Sequence, residues 1–437
     1  MDDFPQSVPG DQFGLPFPTT VEPLLALGPS FLTAAFRASG ALAPDNHVVS
    51  ILHHKEFFGG GMGRKLLLSL QYARAEPGLQ TELFVKFPRN FGDPLRDLFA
   101  PLMEPEVRFA LLSRRDGFPI AVPKCYFADY DSNTKSGLLI TERITYGAAG
   151  IEPFHDKCLD YQIEDPLSHY RALTRAIARL AGFHRAGNFG PDIDRQFPFD
   201  PGKIDVGARI PYTPEQLLLK LDKLKSFAAA YPRLFPGGSG SREFLESFSR
   251  QAPLVLEHEL AIRKYLNGKA DYIALCHWNS NMDNAWFWRD SRGELRAGLL
   301  DWGSVAQMNV AQSFYGMTCA AETDFLEAHE RGLMELFVEE YARSGGPSID
   351  VDEFAYLIKL AVAMLGIAWI LDAPTLVETQ IPDVHRVVDR HDPKLRDDFL
   401  ARAQLHLLIV MLNEWRVHDI GGALENFVAA QRAPPLR

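Results

Sequence analysis

The chain has 437 residues, of which 46% are hydrophobic and 23% charged, and a formal net charge of −11. This length suits two or three compact units, and the composition is ordinary for a globular protein. The net negative charge argues against a large basic face for nucleic acid or an anionic membrane. The longest apolar stretch, residues 360–371, is too short to span a bilayer. Neither a nucleic-acid partner nor a membrane is therefore expected.

The cysteines and the N-terminal residues indicate the cellular compartment of the protein. The four cysteines are widely spaced and form no Cys-x-x-Cys pair, so neither a zinc site nor a disulfide framework is expected from them. The first residues are acidic and lack the apolar segment of a secretory signal. Both observations favour a cytoplasmic location.

The first third of the chain predicts a small sheet. Residues 1–28 are rich in Pro and Gly and predict an extended arm, followed by a helix from Ser30 to Gly40. Apolar patterning then predicts five strands. They cover residues 47–58, 65–73, 81–88, 120–130 and 136–144. A glycine-rich connection, Gly-Gly-Gly-Met-Gly, separates the first two strands and would suit a phosphate-contacting loop or an ordinary flexible hairpin.

A single lysine, Lys86, lies inside the apolar third strand. A buried ammonium is costly unless it meets a partner, so Lys86 is either paired or on an edge with its head in water. The next helix, predicted over residues 101–115, carries Glu104 and Glu106 in its first turn.

The rest of the chain predicts helices. Their apolar periodicity covers residues 167–186, 212–230, 242–266, 308–322, 332–344, 354–371 and 397–415. His184 in the first of these helices is predicted to be a core or network histidine. The charged cluster at residues 389–392 is predicted to be a solvated loop.

Residues 275–303 combine a polar loop with a hairpin. The loop contains His277, Asn279, Asn281, Asp283 and Asn284, too many short polar side chains for a buried helix. An aromatic run at 285–288, turn residues at 290–293 and an apolar run at 297–300 follow. This order predicts a β-hairpin that ends in an aspartate at position 301.

These motifs resemble those of the aminoglycoside phosphotransferase and choline kinase-like families, which have the protein-kinase fold. His277, Asn284 and Leu300-Asp301-Trp302-Gly303 stand where those families have a His-x-Asp-x-x-x-x-Asn loop and an apolar-Asp-Trp turn. The resemblance implies an α+β, two-lobed fold with a five-stranded antiparallel N-lobe containing one helix and a mainly helical C-lobe. The implied domains are an arm and helix (1–46), the N-lobe (47–145) and the C-lobe (146–437).

The same resemblance implies ATP and Mg²⁺ as cofactors and a small hydroxylated molecule as substrate. Asn284 and Asp301 offer the hard oxygen ligands that Mg²⁺ prefers. Lys86 would contact the phosphates and pair with Glu106, with Glu104 as the runner-up. The remaining residues implied to contact the nucleotide are Gly60, Gly61 and Gly63 in the glycine-rich connection, and Glu142 and Ile144 at the hinge.

Asn279 departs from the family pattern, which has an aspartate there, and an amide cannot act as a base. Together with His277 and Asp283 it is a candidate catalytic residue. Three interpretations stay open. The first is a phosphotransferase in which Asp283 replaces the missing carboxylate. The second is a pseudokinase that binds nucleotide or another ligand without turnover. The third is another transfer at the same site, such as nucleotidylation.

Overall fold

The computed structural model describes residues 4–57, 63–200 and 209–432, and the chain divides into two compact units. Unit 1 is Met1–Ile151 with Gly298–Val305, and unit 2 is Glu152–Ala297 with Ala306–Arg437. The short segment carrying the Asp-Trp-Gly turn therefore belongs to unit 1, although its sequence neighbours on both sides belong to unit 2. The predicted domain boundaries after residues 46 and 145 stay predictions.

Unit 1 is built on a five-stranded antiparallel sheet. In chain order its elements are β1 (Ser7–Pro9), β2 (Pro16–Pro18), α1 (Val21–Ala38), β3 (Val48–Phe57), β4 (Gly63–Tyr72), β5 (Glu82–Pro88), α2 (Arg96–Phe99), α3 (Met103–Leu112), β6 (Cys125–Asp131) and β7 (Ser136–Glu142). The strand order is β3-β4-β5-β7-β6, and every pair is antiparallel. A short 3₁₀ turn, Ala100–Leu102, precedes α3. The predicted five-stranded antiparallel sheet is confirmed.

The alternation of side chains along β5 decides where Lys86 lies. Leu83, Val85 and Phe87 are fully buried in the core that the sheet shares with α1. Successive strand residues point to opposite faces, so Lys86 faces the other side of the sheet. Residues of α3 such as Val107 pack on that side. One face of the sheet is thus apolar, and the other receives the single buried ammonium.

The N-terminal segment differs from the predicted extended arm. Its helix begins at Val21 and breaks at Gly28, whose φ of 54° is left-handed, before Pro29 starts a second segment. Proline disfavours the helical conformation of the residue before it, which explains why only the second segment was recognised. Phe17 and Leu24 are fully buried in the sheet core, so this segment packs on the sheet.

Unit 2 is mainly helical, as predicted. Its elements are α4 (Pro166–Arg185), α5 (Ile193–Gln196), α6 (Pro214–Ala230), α7 (Arg242–Glu257), α8 (Glu259–Asn267), β8 (Ile273–Cys276), β9 (Ala285–Arg289), β10 (Leu295–Leu299), β11 (Ala306–Asn309), α9 (Val310–Thr318), α10 (Thr323–Arg343), α11 (Val351–Trp369), α12 (Ala373–Gln380), α13 (Pro393–Arg396), α14 (Phe399–Val417) and α15 (Ile420–Arg432). β9 pairs with β10, whose last residues run on into unit 1, and β8 pairs antiparallel with β11. The predicted hairpin is therefore present.

Three features of unit 2 bear on the predictions. The helix predicted over 242–266 is divided at His258 into α7 and α8. Arg390, predicted to lie in a solvated loop, is only 15% exposed and donates a hydrogen bond to the largely buried Glu322. Burial of His184 lowers its pKa to about 4, which keeps its ring neutral, as a core histidine should be.

Within the described ranges, no helix taken alone has the length and apolarity to cross a bilayer. The pair α11 and α12, bent by 46°, passes that criterion only when the two helices are taken together.

Candidate functional site

Lys86 makes ion pairs with two carboxylates inside unit 1. Its Nζ lies 2.9 and 2.8 Å from the two Glu106 oxygens and 2.7 Å from Oδ1 of Asp301. The lysine and glutamate side chains are each 6% exposed, whereas the Asp301 side chain is 39% exposed. The structure thus brings together three of the residues predicted from the sequence, and we call them the Lys86 cluster.

The Lys86 cluster carries one positive and two negative charges in a largely dry environment. Burial opposes the charged form of Lys86, but Asp301 and Glu106 outweigh burial and hold its pKa above the ordinary value. Burial also raises the pKa of Glu106, and the charge of Asp301 adds to that rise. The excess negative charge, with Asp301 as the exposed member, suits a site that receives a cation.

Local structure fixes both carboxylates. Glu104 instead pairs with Arg108 one turn along α3, which leaves Glu106 as the partner of Lys86. Asp301 has a left-handed φ of 55°, a conformation that Asp tolerates better than most residues. The Trp302 ring stacks on Phe109 of α3, with centroids 3.8 Å apart, and its Nε1 donates to the Leu299 carbonyl. The turn and α3 therefore position the two carboxylates as one assembly.

The other residues of unit 1 that were predicted to contact the nucleotide lie in the glycine-rich connection and at the hinge. Gly60 and Gly61 lie outside the described residues. Gly63 begins β4, where an added Cβ would lie 2.0 Å from the Phe87 carbonyl oxygen, so the close strand approach requires glycine. The Glu142 N–H donates to the Lys124 carbonyl and is used within the sheet. Ile144 follows the strand end and is half-buried, as Glu142 is, and the hinge role of both residues stays a prediction.

In unit 2, the loop after β8 is fastened to α9. The Ser313 hydroxyl donates to the His277 carbonyl at 2.6 Å. Nδ2 of Asn281 donates to the Gly316 and Met317 carbonyls at 2.6 and 3.1 Å. A Cβ at Gly316 would lie 1.5 Å from the Trp278 carbonyl oxygen, so glycine is required for this approach. The loop is consequently held in one conformation by the helix behind it.

Hydrogen bonds within the loop orient the predicted residues. His277 is 1% exposed, and its Nδ1 accepts from the Asn279 N–H at 3.0 Å. Nδ2 of Asn284 donates to the Asn279 carbonyl at 2.8 Å. Because its nitrogen is used in this way, Oδ1 is the Asn284 atom that can serve a cation.

Lys157 is the residue of this region that sequence reasoning missed. Its Nζ donates to Oδ1 of Asn281 and lies 3.4 Å from both Asn279 Oδ1 and Asp283 Oδ1. We call these four residues the Lys157 cluster. Burial opposes protonation of Lys157, but the Asp283 carboxylate outweighs it and raises the lysine pKa. No motif surrounds Lys157 in the sequence, so its place could be known only from the folded chain.

Comparison with known proteins gives structural similarity alone. No protein-family model matches the chain, and no match among curated proteins was found. Similar solved structures include a mutant aminoglycoside 2'-phosphotransferase-IIIa in complex with GDP (TM-score 0.40, 13% identity, 87% of this chain and 95% of that one). A choline kinase from Cryptosporidium parvum Iowa II has a TM-score of 0.39, 13% identity and coverages of 87% and 92%. An ethanolamine kinase from Plasmodium vivax has a TM-score of 0.40 and 11% identity, and the match covers 81% of this chain and 80% of that one.

These proteins are what the chain is similar to, at 11–13% sequence identity. With TM-scores of 0.40 or less, the similarity is too distant to assign a function to the chain.

Proposed function

We propose that the chain binds Mg-ATP and transfers the γ-phosphate to a hydroxyl of a small molecule. The observation that carries this proposal is the Lys86 cluster. A lysine buried on a strand, paired with a helix glutamate and with the aspartate of an Asp-Trp-Gly turn, suits recognition of nucleotide phosphates. The cost of burying the Lys86–Glu106 ion pair is difficult to explain as a contribution to stability alone, since buried ion pairs are often no better than apolar packing.

The available donor atoms fit Mg²⁺. Asp301 offers a partly exposed carboxylate, and Asn284 offers an amide oxygen whose partner nitrogen is already used. Both are hard oxygen ligands of the kind that Mg²⁺ takes alongside phosphate oxygens. When bound, the cation would supply the positive charge that stabilises the transferring phosphoryl group. We assign Asn284 and Asp301 as the protein ligands.

The loop residues have different proposed roles. The buried His277 positions the loop, because its ring and carbonyl are used by Asn279 and Ser313. Asn279 can accept a hydrogen bond from the substrate hydroxyl and orient it, although it cannot remove the proton. A loose phosphoryl-transfer transition state depends mainly on positioning and electrostatics, so turnover without a strong base is possible. Lys157 adds a positive charge at this loop.

A second function, ligand binding without turnover, is favoured by the Lys157 cluster. Asp283 is the carboxylate that could replace the missing base, and its Oδ1 lies 3.4 Å from the Lys157 ammonium. This carboxylate oxygen therefore faces an ammonium of the protein itself. The two functions share nucleotide binding and differ only in turnover.

Calorimetric titration with ATP, with and without Mg²⁺, tests the shared step. Asp301→Ala should weaken Mg²⁺-dependent affinity more than Asn284→Ala, because a carboxylate offers the cation a full charge and an amide only a dipole. Asp290, a half-buried carboxylate in the β9–β10 turn that pairs with Arg296, provides the control Asp290→Ala. Equal losses in both site variants, or none, would contradict the assignment of the ligands.

An ATP-turnover assay against a panel of hydroxylated metabolites separates the two functions. Phosphorylated product that depends on Mg²⁺ and on Lys86 supports the phosphotransferase. Tight nucleotide binding with no product across the panel supports the binding protein.

A further inference from the structure

Helices α10 and α14 bring two carboxylates and an imidazole together in unit 2. Glu330 lies on α10, Glu414 on α14, and His418 at the residue that ends α14. The His418 Nε2 is 2.9 Å from Oε2 of Glu330 and 3.4 Å from Oε2 of Glu414. Both glutamate side chains are 4% exposed, and the histidine is 32% exposed. We call this group the Glu330 cluster.

The short distances in the Glu330 cluster are not hydrogen bonds. In the part of the chain that the structure describes, Oε2 of Glu330 and Nε2 of His418 are buried atoms with no hydrogen-bond partner. The His418 nitrogen is therefore close to the carboxylate but not directed at it. Elsewhere in the unit, Glu152 shows the ordinary alternative, because its Oε2 is hydrogen-bonded to His169 Nε2 at 2.7 Å. Oε2 of Glu330 and Nε2 of His418 thus lie close together without a hydrogen bond that satisfies either atom, and a shared cation would satisfy both.

Positive charge is scarce around the two buried glutamates. Among the described residues, no lysine or arginine makes an ion pair with Glu330 or Glu414. Arg416 instead lies 3.5 Å from Glu327, which also accepts from Asn413. Two carboxylates in a low-dielectric environment repel each other unless a proton or a cation lies between them.

We propose that Glu330, Glu414 and His418 bind a divalent transition-metal cation of the Zn²⁺ type. One imidazole nitrogen and two carboxylate oxygens are a donor set that Zn²⁺ accepts, whereas Ca²⁺ prefers six or more oxygens. Bonds of about 2.0–2.1 Å in tetrahedral geometry separate the donors by about 3.3 Å, close to the observed distances. The ion would fasten α10 to the end of α14, independently of the proposed phosphotransferase function.

The test uses the full chain, stripped with a chelator and kept in excess Mg²⁺ so that oxygen sites such as Asn284 and Asp301 do not contribute. Zn²⁺ affinity is measured by competition with a chromophoric chelator, and Co²⁺ absorption reports the geometry. We expect one Zn²⁺ per chain. His418→Ala and Glu330→Gln should each weaken binding by more than about 10²-fold, since even outer-shell changes cost 10- to 100-fold. The control His385→Ala, at an exposed histidine outside the cluster, should leave binding unchanged.

Thermal unfolding of the same proteins provides a second test, which also shows whether each variant is folded. Zn²⁺ should raise the melting temperature of the wild type and of His385→Ala, but not of His418→Ala. If the glutamates only share a proton, Zn²⁺ will have no effect and Glu330→Gln will stabilise the protein at neutral pH, which overturns the proposal. Binding that survives both His418→Ala and Glu330→Gln also overturns it, because the ion then lies elsewhere.

Discussion

The Lys86 cluster of unit 1 and the Lys157 cluster of unit 2 each surround a largely buried lysine, and the two lysines are satisfied differently. Lys86 meets two carboxylates at 2.7–2.9 Å, whereas Lys157 meets two amide oxygens and a single carboxylate, the latter at 3.4 Å. The first cluster has an excess negative charge and the second has none. This difference supports the proposed cation site at Asp301 in unit 1, whereas the loop of unit 2 holds its lysine mainly with neutral amide oxygens.

The largest expected effect is on the Lys86 cluster. Lys86→Met leaves Glu106 buried beside Asp301 without a counter-charge, and breaking a buried pair in this way costs about 3–5 kcal/mol. Urea denaturation should show this loss of unfolding free energy, and calorimetry should show loss of ATP binding. Lys124→Met, at an exposed lysine that adjoins the same sheet, is the matched control. A destabilisation below about 1 kcal/mol would mean that the cluster is solvated and not built as described.

The next effect concerns the chemistry of the Lys157 cluster. Asn279→Asp restores a carboxylate at the position of the family base and should raise phosphotransferase or ATPase turnover by about 10²-fold or more. The Lys157 ammonium, 3.4 Å from the present Asn279 oxygen, should compensate the added charge. Steady-state kinetics measures the change.

Asp283→Asn is the companion variant for that experiment. If Asp283 already serves as the base, this variant will silence a measurable wild-type activity, and Asn279→Asp will bring no improvement. That combination would contradict the binding-only function and would leave Asp283 as the group that replaced the family aspartate.

The two clusters also differ in how much of each could be predicted from the sequence. The pairing of Lys86 with Glu106 was implied by the family resemblance, whereas the contact of Lys86 with Asp301 was not predicted. Lys157 approaches the loop from a segment more than 100 residues earlier, and nothing local indicates this contact. Its position depends on how unit 2 packs.

The fold shows the same division between local and non-local information. The five strands were predicted because their apolar patterns are local, whereas the return of residues 298–305 to unit 1 depends on tertiary structure. The first segment of α1 was missed because Gly28 and Pro29 are reliable breakers of a helix and concealed the turns before them. The short helices α12 and α15 were missed because their apolar stripes are brief.

A buried acid next to the Lys157 cluster gives a pH-dependent effect. Burial raises the pKa of Asp160 to about 7, and its Oδ2 accepts from the Tyr170 hydroxyl at 2.5 Å. The folded pKa lies above the unfolded value of 3.8, so the folded state favours the protonated acid. The free energy that Asp160 contributes to folding is fully present below its unfolded pKa of 3.8. It is lost as the pH rises through the folded pKa of about 7.

Asp160→Asn should therefore stabilise the protein at pH 8 by about 1–3 kcal/mol and have little effect at pH 4. The amide oxygen can still accept from Tyr170, so the hydrogen bond is kept. Urea denaturation at both pH values measures the effect, with Asp165→Asn at the N-cap of α4 as a surface control. A stabilisation of equal size at both pH values would show that ionisation is not its cause.

The smallest expected effect is the loss of the second lysine. Lys157→Met removes hydrogen bonds to Asn281 and Asn279, but the 18% exposed Asp283 can recover water, and the Asn281 bonds to α9 remain. We expect a destabilisation of about 1–2 kcal/mol, the range for charged hydrogen bonds, and thus clearly below that of Lys86→Met. Lys269→Met, which breaks a more exposed pair with Glu353, sets the scale for a surface contact. If Lys157→Met destabilises the protein as much as Lys86→Met does, the amides of the loop stabilise the ammonium as strongly as two carboxylates do. The different charges of the two clusters would then not explain how their lysines are stabilised.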